Sequence, residues 1–346
     1  METVEHIVIG AGPAGLRAAQ VLAEAGRDVL VVEKNPEIGP KTCAGGLTRK
    51  AVRELEALGL PAGVGLESVG HASFARERPV ALDREASVVR TVPRRTLGCL
   101  QAEWTRRAGA EIRSGVAVTG LDLAAGVVTA GGRRLRYRHL IGADGADSAV
   151  RRALGLPCRR AYFAAEFNLP GRRLAPLRVE CDPAWLANGY FWVFPHRDYT
   201  SIGAVAAKRL VPPGALVRYL ERRVEELGVS LAGVRLEGAV LEVDWAGFDF
   251  PGGVHLVGDA AGAPSALTAE GIYAALITGE ETARRILEPR YPSPKTASWL
   301  RVKRAHDRSA ALLRLGAARR VALPALARLA RWPPAARRMA AWFLAA

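Results

Sequence analysis

The chain has 346 residues, of which 49% are hydrophobic, so it is long enough to bury one large core or two smaller ones. Its four cysteines, at positions 43, 99, 158 and 181, form no C-x-x-C pair, which argues against a disulfide framework and against a thiolate metal site, so no metal is expected. The N-terminus lacks the basic start of a signal peptide, and no run of eighteen apolar residues follows. A cytoplasmic protein that does not cross a membrane is expected.

The N-terminal stretch EHIVIGAGPAGLRAAQVLAEAGRDVLVVEK predicts a strand, a glycine turn, a helix and a second strand that ends at Glu33. Its glycines have the G-x-G-x-x-G spacing, in the strand-to-helix context that binds a dinucleotide. Gly10 permits the tight turn, Gly12 lets backbone approach a pyrophosphate at the helix N-terminus, and Gly15 allows close packing. The Glu33 carboxylate can accept ribose hydroxyls. Either FAD or NAD fits this unit.

A lone cysteine, Cys43, follows in the stretch KTCAGGLT, two positions before the glycine pair Gly45 and Gly46. Taken alone, this stretch favours a turn that has an inert cysteine packed beneath it. Its meaning depends on the rest of the chain.

Two later stretches also run from a strand into a helix through an acidic turn. HLIGADGADSAVRRALG contains Asp144, and GVHLVGDAAGAPSALTAEGIYAALITGE contains Asp259. Each alone could be an ordinary turn with an acidic helix cap. Their order and spacing behind the first unit argue against coincidence.

Between these two stretches, the sequence NGYFWVFPHRDYTSIGAV predicts a strand rich in aromatic residues. Alternation along a strand places Tyr190, Trp192 and Phe194 on one face. Three large rings on one face can form a core or line an apolar pocket.

The C-terminal segment carries nearly all of the net charge of +15, because Arg284 to Ala346 holds 15 Lys+Arg and 2 Asp+Glu, which is 15 − 2 = +13. Its arginines alternate with apolar residues, which predicts short amphipathic helices broken at Pro324 and at Pro333-Pro334. That pattern favours an anionic membrane surface or a protein partner over nucleic acid. The alternative is a set of helices that pack on the protein and leave their arginines in solvent.

The three strand-to-helix stretches resemble the aromatic-hydroxylase-like superfamily of flavoproteins, in which the same motifs hold FAD. The resemblance implies that Asp259 binds the ribityl chain and that backbone at Gly271 and Ile272 contacts the flavin ring. The segment TVPRRTLGCLQAEWTRRAGAEIRSGVAVTGL resembles the part of these proteins in which an arginine, here Arg94, lies near the cofactor and a strand, here around Val118, borders the adenine.

Within that superfamily, a cysteine followed by Gly-Gly and a YxWxFP strand resemble the geranylgeranyl reductase family. The resemblance implies an FAD-dependent reductase that saturates double bonds of an isoprenoid chain on a lipid, quinone or pigment precursor. Tyr190, Trp192 and Phe194 then bind substrate, and Cys43 is the expected catalytic residue, as a lid, proton relay or redox-sensitive thiol. The cofactor-binding residues predicted in all are Gly10, Gly12, Ala14, Gly15, Glu33, Ala44, Gly46, Arg94, Val118, Asp144, Asp259, Gly271 and Ile272.

Some features keep other readings open. The family commonly has a proline and a glycine where this chain has Ala266 and Ala269, whose methyl groups could narrow the space beside the flavin. A flavin monooxygenase or halogenase acting on an apolar or aromatic substrate is the alternative, although a halogenase is expected to have isoleucine where Phe194 stands. The electron donor is NAD(P)H, ferredoxin or another reduced carrier, since no second nucleotide fold is evident.

The predicted fold class is α/β, with a discontinuous Rossmann-like FAD-binding domain, an antiparallel-sheet substrate domain and a helical C-terminal region. The predicted boundaries are residues 1–70, 90–160 and 245–284 for the FAD domain, 71–89 and 161–244 for the substrate domain, and 285–346 for the basic C-terminal region.

Overall fold

The structure is a computed structural model that describes residues 1–69, 71–74, 80–81, 88–171, 174, 176–329, 331–332, 334–335 and 338. The helices are α1 (Pro13–Glu24), α2 (Arg49–Ala57), α3 (Arg94–Arg107), α4 (Ala149–Ala153), α5 (Pro183–Leu186), α6 (Pro213–Glu226), α7 (Ile272–Leu287), α8 (Pro294–Leu312) and α9 (Gly316–Leu329). The strands are β1 (Glu2–Ile9), β2 (Val29–Glu33), β3 (Gly46–Leu47), β4 (Leu66–Val69), β5 (His71–Phe74), β6 (Val80–Ala81), β7 (Val88–Thr91), β8 (Glu111–Ser114), β9 (Val118–Asp122), β10 (Val127–Ala130), β11 (Arg133–Gly142), β12 (Ala161–Pro170), β13 (Arg178–Cys181), β14 (Tyr190–Pro195), β15 (Tyr199–Ala207), β16 (Leu236–Glu242), β17 (Asp249–Phe250) and β18 (Val254–Leu256).

The first sheet is built around the N-terminal strand. β1 lies between β2 and β11, and it runs parallel to both; β8 continues the parallel sheet beyond β2, and β18 continues it beyond β11. β9 and β10 form an antiparallel meander on β11. The carboxyl ends of parallel strands meet at one edge of a sheet, which is where ligands bind in α/β folds. The predicted Rossmann-like unit is therefore confirmed.

Small residues let two helices of this unit approach closely. A Cβ added to Gly279 of α7 would lie 2.2 Å from the carbonyl oxygen of Ala14 in α1. A Cβ added to Gly258 would lie 2.9 Å from the Cβ of Ala14. This close packing brings the start of α1 next to the turn that carries Asp259.

The second sheet has the order β16-β12-β15-β14-β13-β5-β6. Its described strands pair antiparallel except for β13 with β5, so the predicted antiparallel sheet is also confirmed. On one face, Phe191 and Val193 pack with Leu216 and Leu220 of α6. The opposite face of the sheet carries the aromatic residues of the predicted substrate site. A small third sheet, β3-β7-β4, lies next to the KTCAGG loop, residues 41–46.

The helix α8 packs on the rest of the protein through one face. Trp299, Lys303, His306 and Ala310 of that face are buried, while Arg301 and others on the opposite side are exposed. The Lys303 ammonium donates to the carbonyl oxygens of Val243 at 2.7 Å and Pro264 at 2.8 Å. α8 therefore matches the alternative in which the amphipathic helix packs on the protein and leaves its arginines in solvent.

The predicted helix break at Pro324 is wrong, because α9 runs from Gly316 to Leu329 without interruption. A proline inside a helix removes one backbone hydrogen bond, and the surrounding alanines and leucines, which favour helix, sustain the remaining turns. Some predictions fall outside the described residues. They are the break at Pro333, the assignment of residue 70, and that of most of the 71–89 segment. Within the described part of the chain, no helix is both long and apolar enough to cross a bilayer.

Candidate active site

The glycine turn after β1 has the geometry that a pyrophosphate requires. Gly10 has a φ of 105°, and a Cβ there would meet the Ala143 carbonyl oxygen at 2.4 Å. A Cβ on Gly15 would lie only 2.0 Å from the Gly10 carbonyl oxygen. At Gly12, by contrast, a Cβ would meet no atom within 4 Å, and no side chain caps α1. The start of α1 therefore presents backbone N–H groups to open space, as an anion-binding helix end does.

The structure places Glu33, Val118 and Asp144 around this turn. One oxygen of Glu33 accepts a hydrogen bond from the Ala11 N–H at 2.8 Å, which holds the carboxylate beside the glycines. Val118 starts β9, two residues after Val116, whose N–H donates to the Glu33 carbonyl oxygen at 2.9 Å.

Asp144 accepts hydrogen bonds from the Ser148 hydroxyl at 2.6 Å and from the Ala149 N–H at 2.7 Å. Its carboxylate therefore organises the start of α4, which is the ordinary capping role. A direct contact from this carboxylate to the cofactor stays a prediction.

A cavity of about 540 Å³ extends from the start of α1 to the second sheet. Several predicted cofactor residues lie in its wall together, although they are far apart in sequence: Ala44, Gly46, Arg94, Asp259, Gly271 and Ile272. Asp259 forms an ion pair with Lys41, with 3.0 Å between Oδ2 and Nζ. The Arg94 Nε is buried and has no hydrogen-bond partner among the described residues. A guanidinium N–H in this position is free to bind a ligand's acceptor.

The predicted substrate residues line the other part of the same cavity. Tyr190, Trp192 and Phe194 all contribute to its wall, and the Tyr190 and Trp192 rings lie 6.2 Å apart. The Tyr190 hydroxyl donates to the Thr268 carbonyl oxygen at 2.7 Å, and burial raises its pKa. Trp192 faces Gly203 across the sheet, where a Cβ would lie 2.2 Å from the indole ring. Any larger residue than glycine at position 203 would therefore overlap the indole ring that packs against β15.

The KTCAGG loop is held against the aromatic strand by a buried carboxyl group. The Cys43 N–H donates to Glu166 at 2.7 Å, and the Ser201 hydroxyl donates to the other oxygen of Glu166 at 2.7 Å. Ser201 in turn accepts from the Trp192 indole N–H at 2.9 Å. Burial raises the pKa of Glu166. This chain of hydrogen bonds joins the cysteine loop to the YxWxFP strand.

The glycine pair of the loop is explained by atoms that pack closely against it, from Val92 for Gly45 and from the aromatic strand for Gly46. Gly45 has a φ of 70°, and a Cβ there would lie 2.6 Å from the Val92 carbonyl oxygen. A Cβ on Gly46 would lie 2.5 Å from the Phe194 ring. His196, next in sequence to the aromatic motif, donates to the Ala44 carbonyl oxygen at 2.9 Å. Protein atoms therefore fill the space that larger side chains would take.

Ala269, where a glycine is common in the family, keeps the backbone of a glycine. Its φ is 54°, a conformation that costs a non-glycine residue about 1–2 kcal/mol. Its methyl group lines the cavity, as expected. Ala266 is buried in the core beside the second sheet and does not line the cavity.

The sequence prediction missed two carboxyl groups of this region, Glu166 and Glu270. Glu270 lies in the cavity wall directly before Gly271, and the Thr48 hydroxyl donates to its Oε1 at 2.6 Å. Its position in the stretch TAEGI was visible in the sequence. Thr48 is 222 residues away, so its partner was not.

Both the sequence and the fold have known relatives. Residues 3–184 match the FAD binding domain family. Over 330 residues the chain is 33% identical to digeranylgeranylglycerophospholipid reductase 1 of Methanopyrus kandleri, covering 87% of this chain and 84% of that protein. Over 322 residues it is 31% identical to menaquinone reductase of Mycobacterium tuberculosis, covering 82% and 76%.

Two solved structures share the fold at lower sequence identity. A geranylgeranyl bacteriochlorophyll reductase-like protein of Thermoplasma acidophilum superimposes with a TM-score of 0.77 at 22% identity, over 99% of this chain and 96% of that one. The p-nitrophenol 4-monooxygenase of Pseudomonas putida gives 0.77 at 18% identity, over 98% and 97%.

The fold is that of an FAD-dependent oxidoreductase, and FAD is the cofactor. Within that class, the chain belongs to the geranylgeranyl reductase family. The described residues fit FAD: Gly12 leaves room at an uncapped helix N-terminus, and the Arg94 Nε is a buried donor without a partner.

Proposed function

We propose that this protein saturates carbon–carbon double bonds in a geranylgeranyl-type chain carried by a lipid, a quinone or a pigment precursor. The observation that carries the proposal is the single cavity, which joins the predicted flavin-binding residues to the aromatic face of β14. A polyprenyl chain has almost no hydrogen-bonding groups, so a long apolar pocket must select it by shape. The relatives named as prenyl-lipid and menaquinone reductases support the same class of substrate.

When bound, FAD supplies the hydride chemistry that this reaction needs. The chain's own residues bind and orient the alkene. Tyr190 is fixed by its hydrogen bond to Thr268, and Trp192 by its bond to Ser201, so both rings have defined positions against which a double bond can pack. Arg94 and the Lys41–Asp259 pair supply polar contacts at the cofactor end.

Cys43 lies in the cavity wall and is held by the Glu166 hydrogen bond to its backbone. We propose that it acts at the edge of the flavin, as a lid, a proton relay or a redox-sensitive thiol. Replacement by serine keeps nearly the same shape, so Cys43→Ser is expected to retain FAD and to lower the rate or extent of alkene reduction. A variant equal to wild type in both rate and product would remove Cys43 from the catalytic machinery.

The basic C-terminal region supports an anionic membrane as a partner. Several large apolar side chains of this region are exposed, namely Leu312, Leu315, Val321, Leu329 and Trp332. Exposed arginines, among them Arg304, Arg308 and Arg328, lie between them. Apolar side chains interspersed with arginines are typical of helices that lie on anionic lipid surfaces.

Mass spectrometry of the product tests the function. The enzyme is reduced anaerobically with dithionite and given a digeranylgeranyl glycerophospholipid or a menaquinone; the expected product is heavier by two hydrogens for each saturated bond. A second arm admits oxygen. Hydroxylated or halogenated product in that arm, with no saturated product in the first, would favour the monooxygenase or halogenase alternative. Reduction assays with NAD(P)H and with reduced ferredoxin then identify the donor.

A further inference from the structure

The cavity wall contains a carboxyl group for which the function described above has no use. Glu270 lies between Ala269 and Gly271, and both neighbours also line the cavity. Its Oε1 accepts a hydrogen bond from the Thr48 hydroxyl at 2.6 Å. Its Oε2 is buried and has no hydrogen-bond partner among the described residues. A protonated carboxyl group is compatible with this geometry, since Oε1 then accepts as the carbonyl oxygen and the proton on Oε2 is not bound by an acceptor among the described residues.

The surroundings of Glu270 favour the protonated form. Burial in the apolar cavity raises the pKa of Glu270 to about 8, while the Thr48 hydrogen bond and the charge of Lys50 act in the opposite direction. The titratable groups that face it are Lys50 on α2, Tyr190 on β14 and Tyr273 on α7. At neutral pH the group therefore stores a proton beside the cavity. Thr48 and Lys50 would stabilise the carboxylate once that proton has left.

Three other polar groups in the described cavity wall, those of Tyr190, Lys41 and Arg94, are less suited to release a proton. The Tyr190 hydroxyl proton is committed to the Thr268 carbonyl oxygen, and burial raises its pKa. Lys41 is paired with Asp259 at 3.0 Å. Arginine, as at Arg94, does not deprotonate in proteins.

An isoprenoid double bond has no electron-withdrawing group, so its saturation needs an acid as well as a hydride. We propose that Glu270 is the proton donor for alkene saturation in this enzyme, an assignment that rests on the proposed function. The Oε2 proton goes to the less substituted alkene carbon, the π bond breaks, and a hydride from the reduced cofactor completes the second C–H bond. The alkene gains two electrons, the cofactor loses two, and Glu270 is left as a carboxylate that takes a proton from water. An external nicotinamide or protein donor restores the reduced cofactor.

The aromatic wall suits this order of events. Positive charge develops on the more substituted carbon as the proton is transferred. The faces of aromatic rings attract cations, and the Tyr190 and Trp192 rings line the same cavity. The residues that bind the chain would therefore also stabilise the charge that Glu270 creates.

The test compares Glu270→Gln with wild type and with Glu221→Gln, a control on the exposed surface of α6. Glutamine keeps the shape and an acceptor for Thr48 but cannot supply an acidic proton. Infrared spectroscopy of the FAD-loaded protein, without substrate, measures the carbonyl band of a protonated carboxyl group. Wild type and Glu221→Gln are expected to show a band that titrates away with a midpoint near pH 8, and Glu270→Gln is expected to lack it. Absence of a difference between the two variants would overturn the assignment.

Single-turnover reduction of the prenyl substrate is the second measurement. Glu270→Gln is expected to retain FAD and the wild-type KM and to slow the reaction by about 10²-fold or more, the usual effect of losing a general acid. Thr48→Val removes the hydroxyl that stabilises the Glu270 carboxylate, so it is expected to raise the pH midpoint of the band and to slow turnover. The Thr48 side chain makes no capping hydrogen bond to α2, so this variant does not remove a helix cap. If wild type saturates the substrate and Glu270→Gln is equally fast, Glu270 is not the donor. If wild type forms no saturated product at all, the proposed function itself fails.

Discussion

Replacing Gly46 by alanine tests whether packing on the aromatic strand is what requires a glycine in the KTCAGG loop. The added Cβ would lie 2.5 Å from the Phe194 ring and 3.2 Å from a methyl group of Val89. Gly46 does not have the left-handed backbone of Gly45, so overlap alone carries the cost. Carbon atoms prefer a separation of about 3.5–4.0 Å, and the overlap is therefore about 1 Å. Overpacking of this kind is expected to destabilise the protein by about 1–3 kcal/mol.

Thermal unfolding of the FAD-saturated protein measures this effect. With an unfolding entropy of roughly 2.1 cal/mol/K per residue, 1 kcal/mol corresponds to about 1.4 °C in this chain, so Tm is expected to fall by about 1.5–4 °C. Gly63→Ala is the matched control, because a Cβ there meets no atom within 4 Å and the position lacks a left-handed backbone. Its Tm is expected to stay within 1 °C of wild type, since about 0.5 kcal/mol is the usual limit for a surface change.

The double variant Gly46→Ala/Phe194→Leu distinguishes overlap from other causes. Leucine is smaller than phenylalanine, so it leaves room for the new methyl group. The double variant is expected to be more stable than the sum of the two single effects by about 1 kcal/mol. Strict additivity would refute the reasoning, because it would mean that the Gly46 methyl group and the Phe194 ring do not compete for space.

Three further predictions concern the cofactor, pH and lipid. Asp259→Ala and Gly15→Val are expected to lose FAD, the latter because a Cβ at Gly15 lies 2.0 Å from the Gly10 carbonyl oxygen; full flavin absorbance after gel filtration of both would contradict the assignment. Burial raises the pKa of Glu270 from 4.5 to about 8, so wild type is expected to lose up to about 5 kcal/mol of unfolding free energy relative to Glu270→Gln as pH rises from about 4.5 to 8. Urea titrations measure this difference in unfolding free energy. A difference that does not change with pH would count against a protonated Glu270. Binding to anionic vesicles is expected to exceed binding to neutral ones and to weaken as salt is added, at about 1 kcal/mol per basic residue near the surface; equal sedimentation with both would mean that the arginines are only solvated.

Local patterns in the sequence were enough to predict much of the cofactor unit. Gly10, Gly12 and Gly15 lie within one turn and helix start, so their spacing was enough to predict the tight turn and the close packing that the structure shows. Alternation along β14 likewise predicted that Tyr190 and Trp192 share a face, because a strand has a fixed period of two. These features depend on backbone geometry over a few residues.

The contacts that complete the site join residues distant in sequence and could not be predicted in the same way. Glu166 bonds to the Cys43 N–H across 123 positions, and Lys41 reaches Asp259 across 218. A single sequence contains no signal for which of several carboxyl groups faces a given loop. The break predicted at Pro324 failed for the opposite reason, because a local rule was outweighed by the helix-forming residues around it.

The last described helix also forms part of the cavity wall. Ala322 and Leu326 of α9 line it, as do Leu312 and Leu313 at the end of α8, and none of these residues belongs to a cofactor motif. On the proposed function, these residues contact the prenyl chain, and they lie in a segment separate from the predicted flavin-binding residues. On that proposal, substitutions in α9 are expected to change the accommodated chain length without altering the predicted flavin-binding residues.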